Sequence, residues 1–184
     1  MDAQDHMKVS AGFSLVELMV VIMVASILMA VGLPSYRYVT NSNRLSAEVN
    51  ALLGDLQFAR SEAIKEGQSV TVCPSIDQTT CAAGSTTWHK GWIVLANTGS
   101  PPVATVLRVQ QQFANAKDTF AAAQNVTSIS FNREGFAAGQ PTPPSGLVMI
   151  KLTTQPDVAQ WRRCVEVGLG GSLTTERPGQ GNCN

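Results

Sequence analysis

Two hydrophobic patterns follow one another in the first third of the chain. Residues 13–33, FSLVELMVVIMVASILMAVGL, form an almost unbroken apolar run of 21 residues. At about 1.5 Å of rise per residue, a helix of this length matches a hydrocarbon core of about 30 Å, so the run predicts a membrane span. The other readings are a buried core helix, a plain signal anchor, and a secretory signal cut after Ala30-Val31-Gly32. Against a secretory signal stand Glu17, which interrupts its apolar centre, and the acidic residues Asp2 and Asp5 beside the single Lys8.

Beyond Pro34 the pattern changes. Leu45, Val49, Leu52, Leu53, Leu56, Ala59 and Ala63 recur at helical spacing, while Arg44, Glu48, Asp55, Arg60 and Glu62 take the other faces. This predicts an amphipathic continuation of the first helix. Pro34, with Gly32 nearby, is expected to weaken or kink the helix where membrane gives way to water, because proline removes a backbone donor and crowds the preceding turn. Gly67 is expected to end it.

After Gly67 the helical period gives way to short β-prone runs at 69–73, 91–95, 103–109, 126–131, 147–152 and 161–167, separated by Gly, Pro, Asn and Ser. They predict one small antiparallel sheet. Residues 77–87 and 137–145, the latter with Pro141, Pro143 and Pro144, read as exposed loops. The expected fold is α+β, a ladle in which the amphipathic half of one long helix packs on the sheet.

Composition sharpens this picture. A chain of 184 residues accommodates one domain and an N-terminal segment. With 44% hydrophobic and 14% charged residues it is not a disordered protein, and part of its apolar content is free to serve a membrane. Lys plus Arg and Asp plus Glu both number 13, so no global field steers it toward nucleic acid or acidic lipid.

All four cysteines, Cys73, Cys81, Cys164 and Cys183, lie beyond the apolar run. An even number outside the cytoplasm suggests two disulfides. Three pairings are open. The simplest joins Cys73 to Cys81 and Cys164 to Cys183, closing short loops worth about 2 to 3 kcal/mol each. A zinc site would need closely spaced ligand pairs, which these cysteines and an isolated His89 do not supply. His6 and His89 are the only histidines, and no nucleophile elbow or phosphate loop is present. No catalytic residue, metal or cofactor is therefore expected.

The stretch Gly12-Phe13-Ser14-Leu15-Val16-Glu17, followed by the apolar run, resembles the processing motif of type IV prepilins. The resemblance implies a leader, 1–12, cut between Gly12 and Phe13 by a membrane prepilin peptidase. It also implies N-methylation of Phe13 and a part for Glu17 in filament assembly. Pro34 falls where many pilins carry a helix-breaking proline. An intramembrane carboxylate costs about 2.5 to 3.5 kcal/mol on insertion scales and is functional by default. The cationic amine of Phe13 on a neighbouring subunit would be its partner, and only in the right axial register. Leaders of this kind are usually short and basic. A start at Met7 would leave MKVSAG, with Lys8 as its one charge held in the cytoplasm.

A narrower resemblance, to the GspH/FimT minor pilins and pseudopilins, covers nearly the whole mature chain. It is carried by LGDLQFARSEAI at 53–64, VTVCPS at 70–75, WHKGW at 88–92 and FNREG at 131–135. The same residues have structural readings. Ala59 and Ala63 allow a sheet to approach the helix, Gly135 suits a turn, and Trp88, Trp92 and Trp161 suit the core or its rim.

The family resemblance implies a minor pilin that helps prime and assemble a type IV pilus. It would be a single-pass protein of the bacterial inner membrane, with helix segments 13–33 and 34–67 and a periplasmic head over 68–184. Its partners would be the peptidase and other major and minor pilins. One alternative is the H-type pseudopilin of a type II secretion system. Another is a DNA-binding minor pilin, since some FimT-type pilins bind DNA through a basic C-terminal Gly-Arg-x-Arg segment. Here the tail reads GGSLTTERPG, with Arg177 beside Glu176. Of the neighbours Arg162 and Arg163 only one can easily join it, because adjacent strand residues face opposite ways. DNA is the less favoured partner.

Overall fold

A serine and a glycine bracket the long helix α1, Leu15–Glu66. The hydroxyl oxygen of Ser14 accepts the backbone N–H of Glu17 at 3.2 Å, giving the start of α1 the Ser-x-x-Glu pattern of a capping box. At the other end Gly67 takes the left-handed conformation, φ +63°, and the Gln68 N–H returns to the Ala63 carbonyl at 3.2 Å. This bond satisfies a carbonyl that the last turn would otherwise strand.

The computed structural model describes residues 13–98, 103–140, 146–181 and 183. Gly12, the rest of 1–12, and Pro141, Pro143 and Pro144 lie outside the described residues. The chain divides into two units, Met1–Asn41 and Ser42–Asn184.

In the first unit α1 is not interrupted at Pro34, which is one of its interior residues. Proline deletes a single N–H from the ladder, and the turns on either side keep their own bonds. From Phe13 to Leu33 the large apolar side chains are exposed. Among the described residues α1 holds the one stretch long and apolar enough to cross a membrane.

In the second unit α1 buries Leu45, Val49, Leu52, Leu56, Ala59 and Ala63, the face its spacing predicts. It packs on two antiparallel sheets, where the sequence suggested one. The five-stranded sheet contains β1 (Val70–Pro74), β2 (Gly91–Thr98), β3 (Val103–Gln111), β5 (Ser128–Phe131) and β6 (Ala137–Gln140), in the order β3-β2-β1-β5-β6. The four-stranded sheet contains β4 (Asp118–Ala122), β7 (Val148–Thr154), β8 (Arg163–Val167) and β9 (Leu173–Glu176), in the order β4-β7-β8-β9.

The expectation for 137–145 is corrected in its first residues, since Ala137–Gln140 pairs with β5 as strand β6. Trp161 belongs to a 3-10 turn, Ala159–Trp161, that precedes β8. Between β1 and β2 the residues 76–82 are an exposed loop, and Thr87 makes one isolated bridge to Ala121.

The core is aromatic at its centre. Trp88, Trp92, Phe120 and Phe131 are fully buried. Trp92 meets Phe113 edge-on at 5.9 Å between ring centroids and Phe120 at 6.3 Å. Cys73 is bonded to Cys81, holding the exposed loop to the end of β1, and Cys164 is bonded to Cys183, holding the C-terminal tail to β8.

Candidate functional site

The chemistry-bearing residues fall into four groups. Phe13 is highly exposed, and Glu17 stands in the first turn of α1, exposed like its apolar neighbours. Its backbone N–H is bonded to Ser14, which leaves α1 capped whatever the carboxylate does.

A second group clamps α1 to the sheets. Arg60 donates from Nε to the Gly135 carbonyl at 3.1 Å and from Nη2 to the Gly170 carbonyl at 3.4 Å. The ARSEAI segment of the helix thus meets the FNREG turn, whose Gly135 sits at φ +82°. Five residues before Arg60, Asp55 accepts the indole N–H of buried Trp92 at 2.9 Å and Nη1 of Arg108 at 3.2 Å. The Arg108 guanidinium lies 3.7 Å over the Phe58 ring, which fixes β3 to the helix. Asp55→Ala strands the Trp92 indole in the core and lowers stability by about 1 to 3 kcal/mol. Asp55→Asn, which keeps an acceptor, recovers part of this in a thermal melt.

The third group is a charge cluster between α1, β4 and β7. Asp118, fully buried, accepts Nε and Nη2 of Arg44 at 2.7 and 3.0 Å, and Nη2 also reaches the Thr154 hydroxyl at 3.4 Å. Glu48, one turn along from Arg44, shares a hydrogen bond with Asp118. Burial, the Asp118 charge and that bond push the Glu48 carboxyl up to about 8, partly opposed by Arg44. At neutral pH Glu48 therefore holds a proton against Asp118, and one arginine does not have to balance two carboxylates.

The consequence for stability has a definite sign. The folded protein keeps a proton that the unfolded chain releases above about 4.5, so the contribution of Glu48 to stability is full below that pH and is lost as pH rises through 8. In the detergent-solubilised protein the melting temperature falls across this window. Glu48→Gln flattens the dependence and raises stability at its alkaline end.

The fourth group is the C-terminal arginines. Arg162 is paired with Asp157 at 2.9 and 2.8 Å. Arg163 donates to the carbonyls of Gln160 and Arg162 at 3.1 and 2.7 Å and to the Ser42 hydroxyl at 3.4 Å. A polar groove brings Arg163 and Arg177 together, with Glu176 on the same wall. His89 has a structural task, its Nδ1 accepting the Phe120 N–H at 3.2 Å. Among the described residues no cluster of His, Cys, Asp and Glu could hold a metal ion.

The long helix and the antiparallel sheets have a counterpart among known families. Residues 48–171 match the family model described as "Type II transport protein GspH". The chain belongs to the GspH family. Residues 7–33 match the prokaryotic N-terminal methylation motif.

Among solved structures, the type IV minor pilin FimU of Pseudomonas aeruginosa aligns with a TM-score of 0.57 at 20% identity, over 75% of this chain and 92% of FimU. The minor pseudopilin EpsH of the Vibrio cholerae type II secretion system aligns with a TM-score of 0.52 at 11% identity, over 74% of this chain and 99% of EpsH. These likenesses are to the fold, a long N-terminal helix on antiparallel sheets. No curated protein matches the chain in sequence.

Sequence reasoning missed the Arg60 clamp and the Glu48–Asp118 pair. A signal existed for the first, an arginine beside the buried Ala59 in the ARSEAI segment. Asp118 stands in a segment without strand character, and its partners are 74 and 70 residues away along the chain.

Proposed function

We propose that this GspH-family chain is a minor pilin that helps prime and assemble a type IV pilus. The observation that carries the reading is the exposed apolar segment of α1, residues 13–33, with Glu17 as its one charge and the methylation motif across it. No water-soluble monomer keeps such a surface bare. A bilayer covers it before assembly and neighbouring helices cover it afterwards.

In this reading prepilin peptidase cuts the Gly12–Phe13 bond and methylates the new amine of Phe13. The protein stays in the inner membrane with the head in the periplasm until it joins other pilins. Glu17 then meets the cationic N-terminus of an adjacent subunit. Mispairing leaves a lone carboxylate among apolar helices, so charge selects the axial register.

The second reading, a type II secretion pseudopilin, is favoured by the GspH match itself. The two disulfides of the head and the higher identity to FimU support the pilus. DNA is left out because Arg162 is committed to Asp157 and Glu176 offsets the groove of Arg163 and Arg177. Deleting the gene and scoring surface pili beside type II secretion separates the two. Lost pili with normal secretion supports the proposal, and lost secretion with normal pili transfers the protein to the pseudopilus.

A further inference from the structure

Arg60 is held by main-chain carbonyls. Its Nε and Nη2 donate to Gly135 and Gly170 at 3.1 and 3.4 Å, while the N–H groups of Nη1 have no partner among the described residues. Nor is its charge met by a bonded carboxylate. The acids nearest in the helix and the turn are engaged by other cations: Lys65 is paired with Glu62 and Glu66 at 3.2 and 3.1 Å, and Arg133 with Glu134 at 2.7 Å. A partly buried guanidinium is thus fixed in place with donors to spare.

Those donors border an open groove of about 370 Å³. On α1 it is lined by Gln57, Ser61 and Ile64 beside Arg60, and across from them by Gly171 and Leu173. The apolar part is uncovered, with Ile64 about half exposed. Phe136 and Leu169, each next in the chain to a glycine whose carbonyl Arg60 holds, are exposed as well. The polar part is free to bond. Ser61 gives its hydroxyl proton to the Phe58 carbonyl at 2.8 Å, which leaves its oxygen as an acceptor, and Gln57 presents an exposed amide.

We infer that this groove receives the C-terminal carboxylate of a polypeptide whose last side chain is apolar. A planar guanidinium matches a carboxylate with parallel N–H donors, and one already held by two turns loses little freedom on binding. The apolar side chain lies on Ile64 and Leu173, and the last peptide N–H finds an acceptor in Gln57 or Ser61. A small-molecule site encloses about 70 to 90% of its ligand, whereas an open groove suits a chain end whose remainder stays in solvent. The site is complete within the head and stands whether or not the protein enters a filament.

The test is a calorimetric titration of the detergent-solubilised full chain with N-acetyl-glycyl-alanyl-leucine, beside the same peptide as its C-terminal amide. Arg60 is left intact, because its loss would also release the two turns. Ile64→Glu and, separately, Gln57→Glu place a carboxylate within a turn of Arg60 at exposed positions. The acid is expected to bind at least tenfold more tightly than the amide, and at least tenfold more weakly to either variant that melts cooperatively. Equal affinity for acid and amide, no binding of the acid at about 1 mM, or undiminished binding by the variants overturns the site. Octanoate binding as tightly as the peptide overturns the chain end as ligand, and inorganic phosphate doing so overturns the preference for a carboxylate.

Discussion

Replacing Glu17 with leucine leaves the protein inserted and processed but lowers its incorporation into filaments at least about tenfold. Insertion is unharmed because leucine removes a carboxylate that costs about 2.5 to 3.5 kcal/mol in the hydrocarbon on insertion scales. The start of α1 is unharmed because the Ser14 hydroxyl oxygen accepts the backbone N–H of residue 17, which leucine retains. What is lost is the penalty for wrong register. An attraction worth only about 1.4 kcal/mol already amounts to a factor of ten in the partition between correct and incorrect neighbours. The measurement is the ratio of this protein in sheared filaments to that in the membrane pool. A ratio equal to wild type contradicts a register role for Glu17.

Gly171→Ala places a damaging methyl group in the head. Gly171 holds φ +73°, and a side-chain carbon there would overlap the Gly135 carbonyl oxygen and stand 2.7 Å from Nε of Arg60. Neither neighbour can withdraw freely, since Arg60 is bonded to that same carbonyl at 3.1 Å. Left-handed strain of about 1 to 2 kcal/mol adds to overpacking of about 1 to 3 kcal/mol. A loss near 3 kcal/mol is expected, or roughly a 10 °C fall in melting temperature for a head of this size. Gly170 is the internal control, because a methyl group there meets nothing within 4 Å. Gly170→Ala should melt within about 1 °C of wild type. Equal effects at the two positions would show that the Arg60 clamp does not hold the turn.

What the sequence revealed depended on how locally each feature is encoded. The buried face of α1 from Leu45 to Ala63 was legible because 3.6-residue spacing persists over several turns. Gly67 was legible because the end of the helix needs a residue at positive φ. Six strands were found from β-branched and aromatic runs. By contrast, β4 (DTFAA), β6 (AAGQ) and β9 (LTTE) were not, because these short segments are held by cross-strand pairing and carry little propensity of their own. That omission turned two sheets into one.

Pro34 does not interrupt α1. A missing donor weakens a helix, but the neighbouring turns of α1 carry it through. Ser14 and Glu17 lie within the contiguous motif Gly12 to Glu17, which was visible at once. Arg60 was visible only as part of a family segment, because its partners are backbone carbonyls 75 and 110 residues away. The proton held by Glu48 could not be seen at all, since it depends on burial beside Asp118 from another element.

The most direct test of the account is the intact mass and N-terminal analysis of the protein from native membranes, with and without prepilin peptidase. The account predicts a mature chain that begins with N-methylated Phe13 and forms only when the peptidase is present. A chain beginning at Leu33, cut after Gly32 whether or not the peptidase is present, would contradict it. The apolar half of α1 would then be a discarded secretory signal, and the GspH-family head a free periplasmic protein.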